Sequence, residues 1–404
     1  MAAQSPSSST SSAPPSSAST SPTSPQPPEA QLAVGDRVYG GRFVVRKKLG
    51  EGSCGSVWSV EMVANGLKYA MKCEPFQKCK DDEILRMELY SLKKLQASKH
   101  IPRFIASGCH KNFSFIVMTL LGKDLEDCRR KCNGRKVTQH TTLRLALQGV
   151  QALEDMHRHG FIHRDVKPCN FALGIQNNRT LYIFDFGLCR QIMLPDASGK
   201  LVLREPRAKV SFRGTVRYCS LNVHAAKELG RHDDLYGLLY SMIETTTGTL
   251  PWKGLVRAES AKCKERTTDA ELYKNCPRGF AEFGAALKRL GYADTPPYEL
   301  IRANLSKNIL ELGIKMTDEF DWEKLCKAEK RANKHEKDAD ASTQGKPEKD
   351  KDDDNDTTKD LAASVMSQMT ECPPGEDGAV ENTLDQAPGD IHSEEGHAVK
   401  DDPE

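Results

Sequence analysis

The run His163-Arg164-Asp165-Val166-Lys167-Pro168-Cys169-Asn170 sets a carboxylate, an ammonium and an amide at short fixed offsets. Twenty positions after Asp165 comes Asp185, opening Asp185-Phe186-Gly187. Asp165 can accept the proton of an attacking hydroxyl. The oxygens of Asn170 and Asp185 are hard donors of the kind magnesium takes. Lys167 suits contact with a phosphate in transit. Together these are the parts phosphoryl transfer needs, and the double motif at this spacing is too specific to be chance.

Upstream, Gly50-Glu51-Gly52-Ser53-Cys54-Gly55-Ser56-Val57 is a glycine-rich loop whose backbone N–H groups can approach phosphates without a Cβ clash. Dinucleotide folds use similar loops but need a helix directly afterwards. Here Val57-Trp58-Ser59-Val60 reads as β structure, which predicts a strand–loop–strand phosphate cover. Tyr69-Ala70-Met71-Lys72 follows on the next strand, and its spacing makes Lys72 the ligand of the α- and β-phosphates of ATP rather than a solvated strand-end lysine. Leu85, Leu89, Leu92 and Leu95 recur at helical spacing. Glu88 on that helix is the expected partner of Lys72, with Glu83 as a rival.

These motifs resemble the protein kinases, and Lys167 two residues after Asp165 matches the Ser/Thr kinases. Arg213-Gly214-Thr215-Val216-Arg217-Tyr218 sits where kinases close the activation segment, so Thr215 is expected beside Asp165 and Lys167. Most kinases end that segment with Ala-Pro-Glu. This chain has Ser220-Leu221-Asn222, which resembles the casein kinase 1 superfamily. Asn170-Phe171-Ala172-Leu173-Gly174, Arg231-His232-Asp233-Asp234-Leu235-Tyr236, Leu250-Pro251-Trp252-Lys253 and Phe320-Asp321-Trp322-Glu323-Lys324 look most like its tau-tubulin kinase branch. The resemblance spans about residues 41–325 and departs at Cys169, Cys189, Cys219 and Tyr236.

The resemblance implies ATP and Mg2+ as cofactors, and transfer to Ser or Thr of protein substrates, acidic or pre-phosphorylated ones among them. Ile116-Val117-Met118-Thr119-Leu120-Leu121-Gly122 becomes the hinge between lobes. Backbone groups near Thr119 and Leu121 would bind adenine, with Met118 at the rear and Ala70 and Ala172 above and below the base. Arg164, Arg213 and Arg217, with Lys209 nearby, are expected to converge on an anion site. That site would receive a substrate phosphate or phospho-Ser211 of the chain itself; the superfamily's own lysine there aligns with Val210. Asp234 is expected to brace the catalytic loop through its N–H groups, and His163 and Phe186 to pack. The rival reading is a pseudokinase scaffold that binds partners without transfer. Such proteins lose a lysine, catalytic or metal-binding position, and none is lost here.

To hold these residues the chain should form a two-lobed α+β protein kinase fold over 37–330. A small antiparallel sheet with one major helix is expected over about 41–122 and a helical lobe over about 123–328. Residues 1–36, rich in Ser, Pro and Ala, and the acidic 331–404 read as disordered tails. They also explain a hydrophobic content of only 38%. The N-terminal segment lacks the basic and apolar parts of a secretory signal, and no run of about 18 apolar residues predicts a membrane span. Thirteen cysteines occur without paired CxxC motifs, so reduced thiols in the cytoplasm or nucleus are expected. No nucleic-acid module stands out, and a monomer is expected.

The formal charge of +2 hides a split. Residues 331–404 hold 8 Lys and Arg against 21 Asp and Glu, a net of −13, while 37–330 hold 50 against 33, a net of +17. A basic core favours acidic or phosphorylated partners. The anionic tail either solubilises the chain or binds a partner, or, tethered at high effective concentration, competes with such substrates through contacts that fade over about 8 Å at physiological salt. In the last case, ending the chain near residue 330 should lower the Michaelis constant for an acidic peptide, and the gap should shrink as salt rises. Steady-state kinetics at low and moderate salt check this; identical constants at low salt refute it.

Overall fold

Apolar residues alternating along Val45, Trp58, Val60, Met71, Cys73, Phe115 and Val117 give one buried sheet face. The strands are β1 (Arg37–Val38), β2 (Phe43–Gly52), β3 (Gly55–Met62), β4 (Lys68–Pro75), β5 (Phe104–His110) and β6 (Phe113–Thr119). They pair antiparallel in the order β1-β2-β3-β4-β6-β5. The computed structural model describes residues 32–52, 55–76 and 84–328. Both tails, Ser53, Cys54 and Glu83 lie outside the described residues. At Gly55 the backbone has φ +137°, and a Cβ would lie 2.0 Å from the Cys73 carbonyl oxygen, so no other residue fits this approach of β3 to β4.

The other face of the sheet receives α1 (Ile84–Lys94), where Leu85, Leu89 and Leu92 are buried as their spacing requires, followed by Leu95. Ile116 and Met118, alternating with the residues of the first face, join this second core. The chain leaves the sheet after Thr119. β7 (Leu121–Asp124) pairs with β9 (Phe171–Gly174), which pairs with β10 (Leu181–Ile183). The crossing therefore falls just before Leu121 rather than after Gly122, and the first sheet begins at Arg37 rather than near 41.

The larger lobe is helical: α2 (Leu125–Arg130), α3 (Gln139–Arg158), α4 (Leu221–His224), α5 (Arg231–Thr247), α6 (Arg257–Arg266), α7 (Asp269–Leu272), α8 (Arg278–Leu287) and α9 (Tyr298–Glu311). α3 and α5 form its centre, with Leu143, Val150, Leu153, Leu235, Leu238 and Met242 fully buried. Two ribbons complete it, β8 (Phe161–Ile162) with β11 (Arg190–Gln191) and β12 (Met193–Pro195) with β13 (Leu201–Leu203). The two-lobed α+β expectation matches this architecture. Among the described residues no helix is long and apolar enough to cross a membrane.

Residues 321–328 form a last helix, pinned to α3 by a clasp. Phe320 is 1% exposed, stacks on Trp322 at 4.9 Å, and lies under the guanidinium groups of Arg144 at 4.3 Å and Arg179 at 5.1 Å. Arg144 also donates to the carbonyls of Asp318 and Glu319, and Asp321 accepts from the Thr138 N–H at 2.6 Å. Phe320→Ala should cost about 3–5 kcal/mol, as fully buried Phe truncations do. Thermal unfolding checks it: a melting temperature within a degree or so of wild type would refute the clasp.

Candidate active site

The loop after β8 is built around a strained residue. Arg164 has φ 67°, a left-handed conformation that non-glycine residues avoid. Asp234, near the start of α5, holds it there by accepting the N–H groups of His163 at 2.6 Å and Arg164 at 2.8 Å. Asp234 is 3% exposed. Burial would raise its carboxyl, but His157 and the loop N–H groups outweigh that and keep it ionised. Burial also lowers His157, so its imidazole is neutral. Its Nε2 donates to Asp234 at 3.0 Å, which leaves Nδ1 to accept from the Tyr298 hydroxyl at 2.6 Å.

Asp165 lies at the centre. One carboxylate oxygen accepts from Thr215 Oγ1 at 2.7 Å and the other from Lys167 Nζ at 2.5 Å, and Lys167 also reaches Thr215 at 3.3 Å. Gly214 makes this closeness feasible: its φ is +100°, and a Cβ would fall 2.6 Å from the Arg164 carbonyl oxygen. Asn170 donates its amide to the Asp165 carbonyl at 2.9 Å, which turns its own oxygen the other way. The Phe184 N–H donates to the Asn170 carbonyl at 3.1 Å, and His163 Nε2 reaches the Phe184 carbonyl at the same distance. These ties bring Asp185 beside Asn170. His163 and Phe186 pack edge to face.

Asp185 is itself left-handed, at φ 68°. Lys72 donates to it at 2.9 Å and to Glu88 at 2.5 Å, so β4, α1 and the Asp185 turn meet at one ammonium. Burial alone would lower Lys72, but the two carboxylates outweigh it and hold the lysine charged. Lys72 in turn keeps the Asp185 carboxyl below its ordinary value against the effect of burial. Glu88 is 2% exposed and relies on Lys72 as its counter-ion.

The glycine-rich loop arches as a hairpin: Gly50 faces Val57, Glu51 faces Ser56, and Gly52 faces Gly55. Glu51 pairs with Lys48 at 2.9 Å. A Cβ on Gly50 or Gly52 would meet open space. Ala70 is registered against Met118, which is 9% exposed, and Ala172 is buried on β9. The Thr119 N–H is taken by the Arg103 carbonyl at 3.0 Å, and Leu121 is registered against Gly174.

The anion site differs from expectation. Arg164 lies beside Arg213, and also near Arg190 and Arg207; burial, Arg213 and those neighbours push its pKa down to about 10. Glu228 anchors this group, accepting two bonds from Arg207 at 2.6 and 3.1 Å and pairing with Arg190 at 3.7 Å. Arg217 does not join it. Glu244 is fully buried and draws Arg217 to 3.4 Å, together with Arg129, Lys253 and the Tyr218 hydroxyl. A buried carboxylate needs such partners, and it outcompetes a solvent-filled site for the arginine. Among the described residues Lys209 makes no ion pair with the cluster, while Ser211 is exposed close by in the chain.

Asp233, which the motif analysis passed over, ties down Ser220-Leu221-Asn222: it accepts from Ser220 Oγ at 2.6 Å and Asn222 Nδ2 at 2.9 Å. Its place next to Asp234 was the available clue. Arg190, Arg207, Glu228 and Glu244 carried no such clue, because their partners lie far along the chain.

Asn170 and Asp185 offer one amide oxygen and one carboxylate, a sparse hard-oxygen set that suits an ion shared with phosphates. Among the described residues no group of three or more His, Cys, Asp or Glu is placed to hold a metal ion.

Comparison with known proteins agrees with this geometry. The description "Protein kinase domain" matches residues 43–290. A probable serine/threonine-protein kinase of Dictyostelium discoideum is 39% identical over 286 residues, covering 70% of this chain and 57% of that protein. A Caenorhabditis elegans protein named among the serine/threonine-protein kinases is 35% identical over 300 residues, covering 73% of this chain and 85% of its own length. A casein kinase I homologue of Kluyveromyces lactis is 33% identical over 298 residues, 71% of this chain and 54% of that one. The chain thus spans little more than half the length of two of these relatives. With a matching domain across most of its described residues and relatives of this similarity, the chain belongs to the protein kinase family.

Proposed function

We propose that this chain transfers the γ-phosphoryl group of ATP to Ser or Thr hydroxyls of protein substrates, as a casein kinase 1-like enzyme closest to the tau-tubulin kinase branch. The observation that carries the reading is Asp165 held between Lys167 and Thr215, with Lys72, Glu88 and Asp185 tied together beside it. Asp165 orients the acceptor hydroxyl and takes its proton. Lys167 steadies the phosphate in transit, and Thr215 fixes both side chains. Lys72 positions the α- and β-phosphates, with Glu88 setting its direction. The loop from Gly50 through Glu51, Gly52, Ser53, Cys54, Gly55 and Ser56 to Val57 covers the phosphates. Ala70, Met118, Thr119, Leu121 and Ala172 surround the base.

Asn170 and Asp185 would hold Mg2+, which supplies charge neutralisation on the phosphate oxygens when bound. Arg213, set beside Arg164 and near the Glu228-bound Arg190 and Arg207, suits a phosphate, since charge-assisted Arg–phosphate bonds are strong and directional. This favours acidic or pre-phosphorylated substrates.

Asp165→Asn should lower transfer by about 10²–10⁴-fold, as losing a positioned proton acceptor does, with the melting temperature close to wild type. A radiolabelled-ATP assay on a Ser/Thr peptide library checks it. Equal rates for Asp165→Asn and wild type would sink the assignment, and a wild-type protein that binds ATP but labels nothing would leave the pseudokinase scaffold.

Peptides carrying a phosphate near the acceptor should be labelled faster than unprimed ones, and Arg213→Ala should shrink that preference while sparing unprimed peptides. Ser211→Ala should keep the full rate if the cluster serves substrate. Equal rates on primed and unprimed peptides, together with a loss of activity in Ser211→Ala, would instead assign the arginines to phospho-Ser211.

A further inference from the structure

Lys264 on α6 is 7% exposed and pairs with no carboxylate among the described residues. Its three donors are matched otherwise. Nζ reaches the Val216 carbonyl at 2.7 Å, the Cys219 carbonyl at 2.6 Å and His224 Nε2 at 3.2 Å. It also lies 3.7 Å from Cys219 Sγ and over the rings of Tyr240 and Trp252, at 5.5 and 5.4 Å. Burying an ammonium without a counter-ion is costly, so this arrangement needs a reason beyond packing.

The reason lies in what the carbonyls belong to. Thr215 bonds Asp165 at 2.7 Å, and the Trp252 indole donates to the Arg217 carbonyl at 2.7 Å. With Lys264 on Val216 and Cys219, the stretch 215–219 is held by Asp165, Trp252 and Lys264 together. Its front, with Lys167, Cys169, Tyr218 and Leu255, lines an open cleft of about 500 Å³ against the catalytic lysine. A peptide whose hydroxyl reaches Asp165 must pass along that wall.

We propose that Lys264 is a positioning residue for the acceptor peptide: its ammonium holds residues 216–219, of which Val216, Arg217 and Tyr218 form the cleft wall, in the one shape that receives substrate. The proposal rests on the kinase reading above. The titratable and charged groups around it are Cys219 from the segment, His224 from α4, Tyr240 from α5 and Arg257 from its own helix. None is an acid that is charged at neutral pH. Burial pushes the His224 pKa down to about 4, so its imidazole accepts from Lys264. Burial likewise pushes Lys264 down to about 8, partly offset by Cys219. A lysine lowered in this way is charged below that value and neutral above it. Above that value the neutral amine has lost its charge and one of its three N–H donors, so its hold on the wall weakens as pH rises.

The test uses the full chain and an acceptor peptide with no group titrating between about pH 7 and 9. In wild type the peptide KM should rise about tenfold across that range while the KM for ATP stays level. Lys264→Met should show the raised peptide KM already at about pH 7, with no further rise. Lys264→Arg, charged throughout, should hold the low value to about pH 9. Amide hydrogen exchange of residues 216–219 should be faster in Lys264→Met than in wild type at about pH 7. A level wild-type peptide KM over the range, or a folded Lys264→Met with wild-type peptide KM and exchange, overturns the proposal. If Lys264→Arg does not fold, the wild-type profile and the Met variant decide. If wild type labels no peptide at any pH, the kinase reading fails, and exchange alone then judges the clamp.

Discussion

The site depends on a carboxylate that has left solvent to hold backbone. Asp234 accepts two successive loop N–H groups and one imidazole N–H, and is nearly unexposed. Those bonds keep Arg164 left-handed, and that reversal turns Asp165 toward Thr215 and Lys167. Without it, a relaxed Arg164 would carry Asp165 away from both partners. The geometry around Asp165 is thus set from beneath, by a residue that holds only backbone and an imidazole. His157 and Tyr298 extend the brace through α3 to the start of α9.

Short-range chemistry was legible in the sequence, because motif spacing implies contact. Asp165, Lys167 and Asn170 share one loop, and the helical leucines placed Glu88 on the face that meets Lys72. The glycine-rich loop was correctly read as strand–loop–strand, since Val57 to Val60 are β formers. Long-range competition was not legible. Arg217 was assigned to an anion site by resemblance, but Glu244, 27 positions on, takes it because a buried acid has the stronger claim. Arg190 and Arg207 lie near Arg164 instead, and only the folded chain brings them there. Lys264, 45 positions from Cys219, looked like any surface lysine in a charged helix.

The activation segment illustrates how a fold replaces a missing motif. This chain lacks the Ala-Pro-Glu ending, and Ser220 and Asn222 instead hang on Asp233 while Lys264 holds the carbonyls just before them. Neutral donors on a buried acid and a cation on carbonyls give the same fixed path by different pairings. Cys219 fits between them as a small buried group whose thiol burial keeps protonated.

One helix carries both ends of that arrangement. Asp233 near the start of α5 anchors Ser220 and Asn222, and Glu244, eleven residues along the same helix, anchors Arg217 and Tyr218. At 1.5 Å per residue the two anchors stand about 16 Å apart on a rigid rod. The rod's central side chains, Leu235, Leu238 and Met242, have no exposure at all. A segment held at two points of a buried rod must give up both anchors to open. Residues 217–222 are therefore expected to open late, with the buried helix that anchors them, although most of them lie outside regular structure.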